Sequence, residues 1–165
     1  MKKQRGSASA CRRRDGFTLV ELLVVVAIIG LLSTMAVVSL NGIRERARDT
    51  KRISDIDAIQ KSMELVKSEM GGYDSSGCPI NKVVSECATA KLSTYLPTLK
   101  NIIDPLWTVT CNTDALCKGL GCNYTFGADL TKDRYQVFFN LEKGVATYTD
   151  SGCYVLTEKG ISQIK

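Results

Sequence analysis

Two kinds of residue in this chain could do chemistry: a set of thiols, and one carboxylate placed where carboxylates rarely sit. Seven cysteines occur in 165 residues. Cys11 falls within the first sixteen positions, leaving Cys78, Cys87, Cys111, Cys117, Cys122 and Cys153, an even number. Six cysteines in a small region with a modest apolar core point to disulfides and an oxidising compartment. Free or mixed thiols and zinc are the competing readings. Against zinc, Cys111, Cys117 and Cys122 follow a C-x5-C-x4-C spacing, not C-x2-C pairs, and the chain has no histidine. Connectivity stays open, because six cysteines allow 15 pairings.

The isolated carboxylate is Glu21, the one ionisable residue from Phe17 to Leu40. A charge within an apolar membrane span costs about 2.5–3.5 kcal/mol on insertion scales, so it calls for a partner and a purpose. The lack of histidine also excludes Ser-His-Asp and Cys-His arrangements. The remaining carboxylates are scattered over a charged helix face, which reads as solvated surface. No catalytic site, metal site or cofactor is expected.

These residues must be positioned by elements that the chain spells out in order. The 24 residues 17–40 are long and apolar enough to cross a hydrocarbon core, which takes about 20. Before them, residues 1–16 hold Lys2, Lys3, Arg5, Arg12, Arg13 and Arg14 against Asp15 alone, a net +5 that equals the charge of the whole chain. The rest is neutral, so the basic excess argues for membrane topology and not for nucleic acid. It holds the amino terminus in the cytoplasm, opposed only by a local +3 from Arg44 to Arg52. An ordinary secretory signal has 7–15 apolar residues and a small-residue cleavage site beyond them. Here the run is longer, and a cut on its near side fits better than one after Thr34-Met35-Ala36.

From Asn41 to Met70 the pattern becomes amphipathic. Ile43, Ala47, Thr50, Ile53, Ile56, Ile59, Met63, Val66 and Met70 recur at three- and four-residue steps and predict one buried helical face. No proline interrupts 17–70, and Gly71-Gly72 supplies a stop, which predicts a single helix about 80 Å long. Residues 71–121 read as a disulfide-bearing connecting region with a short helix near 83–96. Residues 122–165 carry strand signals at Asn123–Phe126, Arg134–Leu141, Val145–Thr149 and Cys153–Thr157, with turns at Glu142-Lys143-Gly144 and Ser151-Gly152. The expected fold is therefore α+β: a long N-terminal helix, apolar then amphipathic, packed on a small C-terminal antiparallel sheet.

The segment from Arg12 through Asp15-Gly16-Phe17-Thr18-Leu19-Val20-Glu21, followed at once by the apolar run, resembles the class III signal of type IV pilins and type II secretion pseudopilins. The resemblance is specific over the first 40 residues and loosens after Met70. It implies that a membrane prepilin peptidase cuts between Gly16 and Phe17 and that Phe17 is then N-methylated. It implies that Glu21 pairs with the amine of a neighbouring subunit and sets the assembly register, and that Gly30 loosens the helix. It also implies a helical polymer of this subunit, alone or with other pilins. A membrane assembly platform and its ATPase would drive polymerisation, because this chain has no nucleotide-binding loop. The subunit would start in the cytoplasmic membrane with its C-terminal domain outside and end in a periplasmic or extracellular filament. Two features depart from the family: Val38 stands where many members have proline, and Asp104-Pro105-Leu106-Trp107 differs from the pseudopilin Asp-Pro-Trp by an inserted leucine. Whether the filament is a pilus, a pseudopilus or a competence (DNA-uptake) pilus stays open. A monomeric membrane-anchored binding domain and a secreted domain released near Ala36 are the contrasting readings.

Overall fold

The computed structural model describes residues 16–106, 109–111 and 122–164, with the backbone alone at 36–39, 88–89 and 109–110. The basic leader up to Asp15, Cys11, Trp107 and Cys117 lie outside the described residues. The chain divides into two units, Met1–Leu40 and Asn41–Lys165, and one helix, α1, runs through Leu19–Met70.

In the first unit, every residue of α1 from Leu19 to Met35 is exposed. The stretch is long and apolar enough to cross a membrane. Its hydroxyls turn back onto the helix: Ser33 Oγ donates to the Ile29 carbonyl at 2.7 Å and Thr34 Oγ1 to the Leu31 carbonyl at 2.8 Å. Such back-bonding satisfies polar side chains where a bilayer offers them no water.

In the second unit, α1 buries a strict three-four repeat: Asp49, Arg52, Ile56, Ile59, Met63 and Val66. The last four meet Tyr124, Phe126, Tyr135, Val137, Phe139, Leu141 and Leu156 in one core. Burying these four helix side chains contributes roughly 6–12 kcal/mol before entropy is counted. The helix ends at Gly71, whose φ of 84° is the left-handed conformation that glycine adopts without strain and whose N–H reaches the Lys67 carbonyl at 2.9 Å.

The main sheet is antiparallel with strand order β3-β4-β5-β6, where β3 is Thr125–Phe126, β4 Gln136–Leu141, β5 Gly152–Thr157 and β6 Gly160–Gln163. Val137 pairs with Leu156 and Phe139 with Tyr154, which aligns the core-facing side chains of β4 and β5. On the opposite face Phe138 and Ile164 pack on the buried cysteines Cys111, Cys122 and Cys153. Before β3, Val109–Thr110 (β1) and Cys122–Asn123 (β2) form a separate parallel pair.

Several expectations of detail are corrected. Asn123–Phe126 is not one strand: Asn123 belongs to β2 and Thr125 to β3, because the Tyr124 amide turns to the Asn123 side-chain oxygen at 2.9 Å. Val145–Thr149 is a closed turn, with Val145 and Tyr148 bonded to each other's backbone at 2.7 and 3.0 Å. Gly152 starts β5, and the tight turn at Glu158-Lys159 leads into β6, which alternation alone did not disclose. The helix near 83–96 is a 3-10 turn, Val84–Thr89, followed by the short helix α2, Leu92–Tyr95. Ile43 and Met70, placed on the buried face by their spacing, are 59% and 40% exposed. The buried face passes through Asp49 and Arg52 instead.

Candidate functional site

At the start of α1 the sequence Thr18-Leu19-Val20-Glu21 forms a capping box. Glu21 Oε2 accepts the Thr18 N–H and the Thr18 hydroxyl, both at 2.8 Å, and the Thr18 hydroxyl oxygen accepts the Glu21 N–H at 3.3 Å. Reciprocal bonds of this kind satisfy helix donors that have no partner within the helix, and the helix's positive end favours the carboxylate. Among the described residues, Glu21 is thus held by Thr18 and by no other charged residue. Its second oxygen, Oε1, has no partner among the described residues. The T-x-x-E spacing of Thr18 and Glu21 is the sequence signature of this box.

Gly16 and Phe17 precede the helix in irregular backbone, and Phe17 is 88% exposed. A Cβ built on Gly16 or on Gly30 would meet nothing within 4 Å. Among the described residues nothing makes a steric demand for glycine at either position.

In the second unit a cluster of buried charges ties α1 to the sheet. Arg52 is 1% exposed and grips Asp104 with two bonds, Nε to Oδ2 at 2.6 Å and a terminal nitrogen to Oδ1 at 2.9 Å. Its other terminal nitrogen reaches Asp49 at 2.8 Å and Glu142 at 2.5 Å. Arg48 adds a fork onto Glu142, with Nε to Oε1 at 2.7 Å. Asp49 accepts three backbone N–H groups of the β4–β5 connection: Glu142 at 3.0 Å, Lys143 at 2.8 Å and Gly144 at 3.0 Å. The Asp104 amide in turn donates to the Asn123 side chain at 3.0 Å. One guanidinium therefore joins α1, the segment before β1, and the turn after β4.

The electrostatics follow from that geometry. Burial works against the Arg52 charge, but the bonds to Asp104 and Glu142 outweigh it and hold its pKa well above the usual range. The Arg48 guanidinium holds the Glu142 carboxyl below the ordinary carboxylate value, against the opposing effect of burial, with Arg52 assisting. Burying a charge is tolerated when it is paired and its hydrogen bonds are filled. The reading of the helix carboxylates as solvated surface is therefore corrected for Asp49: the side chain is fully buried because three amides and a guanidinium surround it. Asp104 is buried by the two-bond grip of Arg52, and its Oδ1 also accepts the Leu106 amide at 2.8 Å. Asn123 is 1% exposed, and its side-chain oxygen accepts the Asp104 and Tyr124 amides.

Disulfides join Cys78 to Cys87 and Cys111 to Cys122, each with Cα atoms 5.0 Å apart. Cys153 is also disulfide-bonded. The first bridge lies in the main core beside Val84 and Leu92, and the second covers the outer face of the sheet.

A family model described as the prokaryotic N-terminal methylation motif matches residues 11–37, the stretch that contains Gly16, Phe17 and Glu21. Relatives extend the likeness beyond it. The type II secretion system core protein G of Aeromonas hydrophila is 33% identical over 79 residues, 48% of this chain and 55% of that protein. That of Escherichia coli is 33% identical over 75 residues, 46% and 52% of the two chains. The motif and these relatives support a likeness of this chain to type IV pilins and pseudopilins. Both branches are represented, since the type IV wide pilus major component PilA4 of Thermus thermophilus is 35% identical over 65 residues, 39% of this chain and 50% of that one. The chain spans about half the length of the curated relatives it matches. No solved structure matches it significantly.

Proposed function

We propose that this chain is a pilin-family subunit, made as a precursor, cut between Gly16 and Phe17 by a prepilin peptidase, methylated at Phe17, held in the cytoplasmic membrane and polymerised through its N-terminal helix. The observation that carries this is the apolar first stretch of α1, exposed along its whole described length, with a single carboxylate held in its first turn. Such a surface cannot remain in water; it resides in a bilayer or packs against copies of itself. Cleavage creates an α-amino group four residues from Glu21. The unpartnered Oε1 can then accept the amine of a neighbouring helix while Oε2 keeps the cap, which sets the axial step between subunits. Repetition of one contact between unlike surfaces does not close and gives a filament. The motive force comes from a separate platform and its ATPase.

Mass spectrometry of the mature protein tests processing: a start at N-methyl-Phe17 supports it, an intact Met1 supports a monomeric anchored domain, and a start at Val37 supports a released one. Glu21→Ala tests register. Removing one partner of a desolvated charge pair costs about 3–5 kcal/mol per contact. The variant is therefore expected to insert and be cut normally, yet form few or no filaments. Wild-type filament yield from Glu21→Ala would overturn the pairing role.

A further inference from the structure

Neither the core nor the assembly reading uses the cleft between α1 and the connection that follows β4. It encloses about 460 Å³ and is lined by Arg46, Lys143, Gly144, Val145, Ala146 and Thr149. Arg46, Lys143 and Thr149 are exposed. Gly42 and Arg46 stand one turn apart on the same helix face, and Lys143 covers that face: its Nζ lies 3.6 Å from the position a Cβ on Gly42 would take. The turn after β4 therefore brings a cation beside the second residue after Leu40.

The charges near this cleft are unequally committed. Arg48, Lys51 and Arg52 are each paired within the fold, to Glu142, Asp55, and Asp104 with Asp49. Glu45 takes Lys143 at 3.0 Å. Arg44 and Arg46 form no ion pair among the described residues. Arg44, Arg46 and Lys143 against Glu45 leave a net +2, and the Thr149 hydroxyl adds a donor to the cleft wall. Arg44 and Arg46 come four and six residues after the apolar run ends in sequence. Basic residues that immediately follow a membrane span meet the layer of lipid headgroups, where each is drawn to anionic lipid.

We infer that this cleft takes the phosphate of an anionic phospholipid headgroup while the subunit resides in a bilayer. The inference rests on the membrane-resident stage of the function proposed above. Arg46 and Lys143 flank the phosphate and Thr149 donates to it. The contact is given up when the subunit leaves the bilayer, so it acts as a hold on the membrane pool.

The test uses the full chain reconstituted in phosphatidylcholine vesicles, with or without phosphatidylglycerol, each carrying a trace photoreactive analogue of one lipid. Flotation of the neutral vesicles reports membrane residence by itself. Light-driven capture, read by mass spectrometry, reports lipid preference. Capture of phosphatidylglycerol is expected to exceed that of phosphatidylcholine and to fall about fivefold per cation removed, or about twenty-five-fold for Arg46→Gln with Lys143→Gln. Flotation of the double variant and lipid capture by a Lys159→Gln control are expected to match wild type. Equal capture of the two lipids, or unchanged capture by a double variant that still floats, overturns the inference. So does full competition by inorganic phosphate, which would make the site one for the free anion. Failure of the wild-type chain to float defeats the membrane reading itself, a distinct result.

Discussion

Replacing Asp49 by alanine isolates what the buried charges contribute. Asp49 Oδ2 receives the Lys143 and Gly144 amides, and Oδ1 receives the Glu142 amide and Arg52, all within 2.8–3.0 Å. In Asp49→Ala the buried Gly144 amide loses its acceptor, at about 1–3 kcal/mol. The Glu142 and Lys143 amides sit in a less buried turn, where water can replace the carboxylate, and cost about 0.5–1.5 kcal/mol each. The bond to Arg52 is charge-assisted and worth about 1.5–3 kcal/mol. The low end of these ranges applies because Arg52 keeps Asp104 and Glu142, giving a loss of about 3.5 kcal/mol. Set against a typical total of about 5–15 kcal/mol, this lowers the midpoint of thermal unfolding by roughly 12–16 °C. Near-ultraviolet circular dichroism of the detergent-solubilised chain measures it, with Asp150→Ala as an exposed control expected within about 0.5 kcal/mol of wild type. Asp49→Asn keeps an acceptor oxygen without the charge and should fall between the two. An Asp49→Ala midpoint within about 2 °C of wild type would refute the claim that this carboxylate fastens the turn.

Three further outcomes are expected. Glu142 has a folded-state pKa below its unfolded value, first because of the Arg48 bond; its contribution is therefore fully present above the ordinary carboxylate value of 4.5 and is lost as pH falls through the lower folded value, so Glu142→Gln should flatten the acid limb of a stability–pH curve. Thr18→Val removes the capping hydroxyl and should cost about 1 kcal/mol of local helix stability, seen as faster hydrogen exchange in the first turn of α1 in micelles, whereas Thr18→Ser should retain most of the protection. Replacing both Cys78 and Cys87 by serine opens a short loop, sequence separation 9, and should cost about 2–3 kcal/mol in thermal unfolding; a double variant as stable as the parent would show that the bridge is not a stabilising tie.

The elements that could be read in the sequence are those whose signal is periodic or terminal. The helix from Leu19 to Met70 follows from an uninterrupted pattern closed by Gly71-Gly72, and β4 from the alternation of Tyr135, Val137, Phe139 and Leu141, all fully buried. What periodicity could not supply was the polar half of the buried face. Asp49 and Arg52 fall in register with Ile56, Ile59, Met63 and Val66, but their burial depends on partners 52 to 95 residues away, Asp104 and Gly144. A single sequence does not say which charges will meet. β6 was missed for a related reason: Gly160-Ile161-Ser162-Gln163 has little alternation, and its pairing with β5 comes from main-chain register. At the candidate assembly end the residues Gly16, Phe17 and Glu21 were legible by type and spacing. The capping partner Thr18 was legible too, through T-x-x-E, once the helix start was located.

Asp49 grips the turn after β4 entirely through main-chain N–H groups. Every residue except proline carries that donor, so the anchorage does not depend on which side chain stands at position 143. Location and display are thereby uncoupled at this point of the molecule. The surface chemistry at residue 143 can be rewritten, by drift or by design, while the foundation beneath it stays in place.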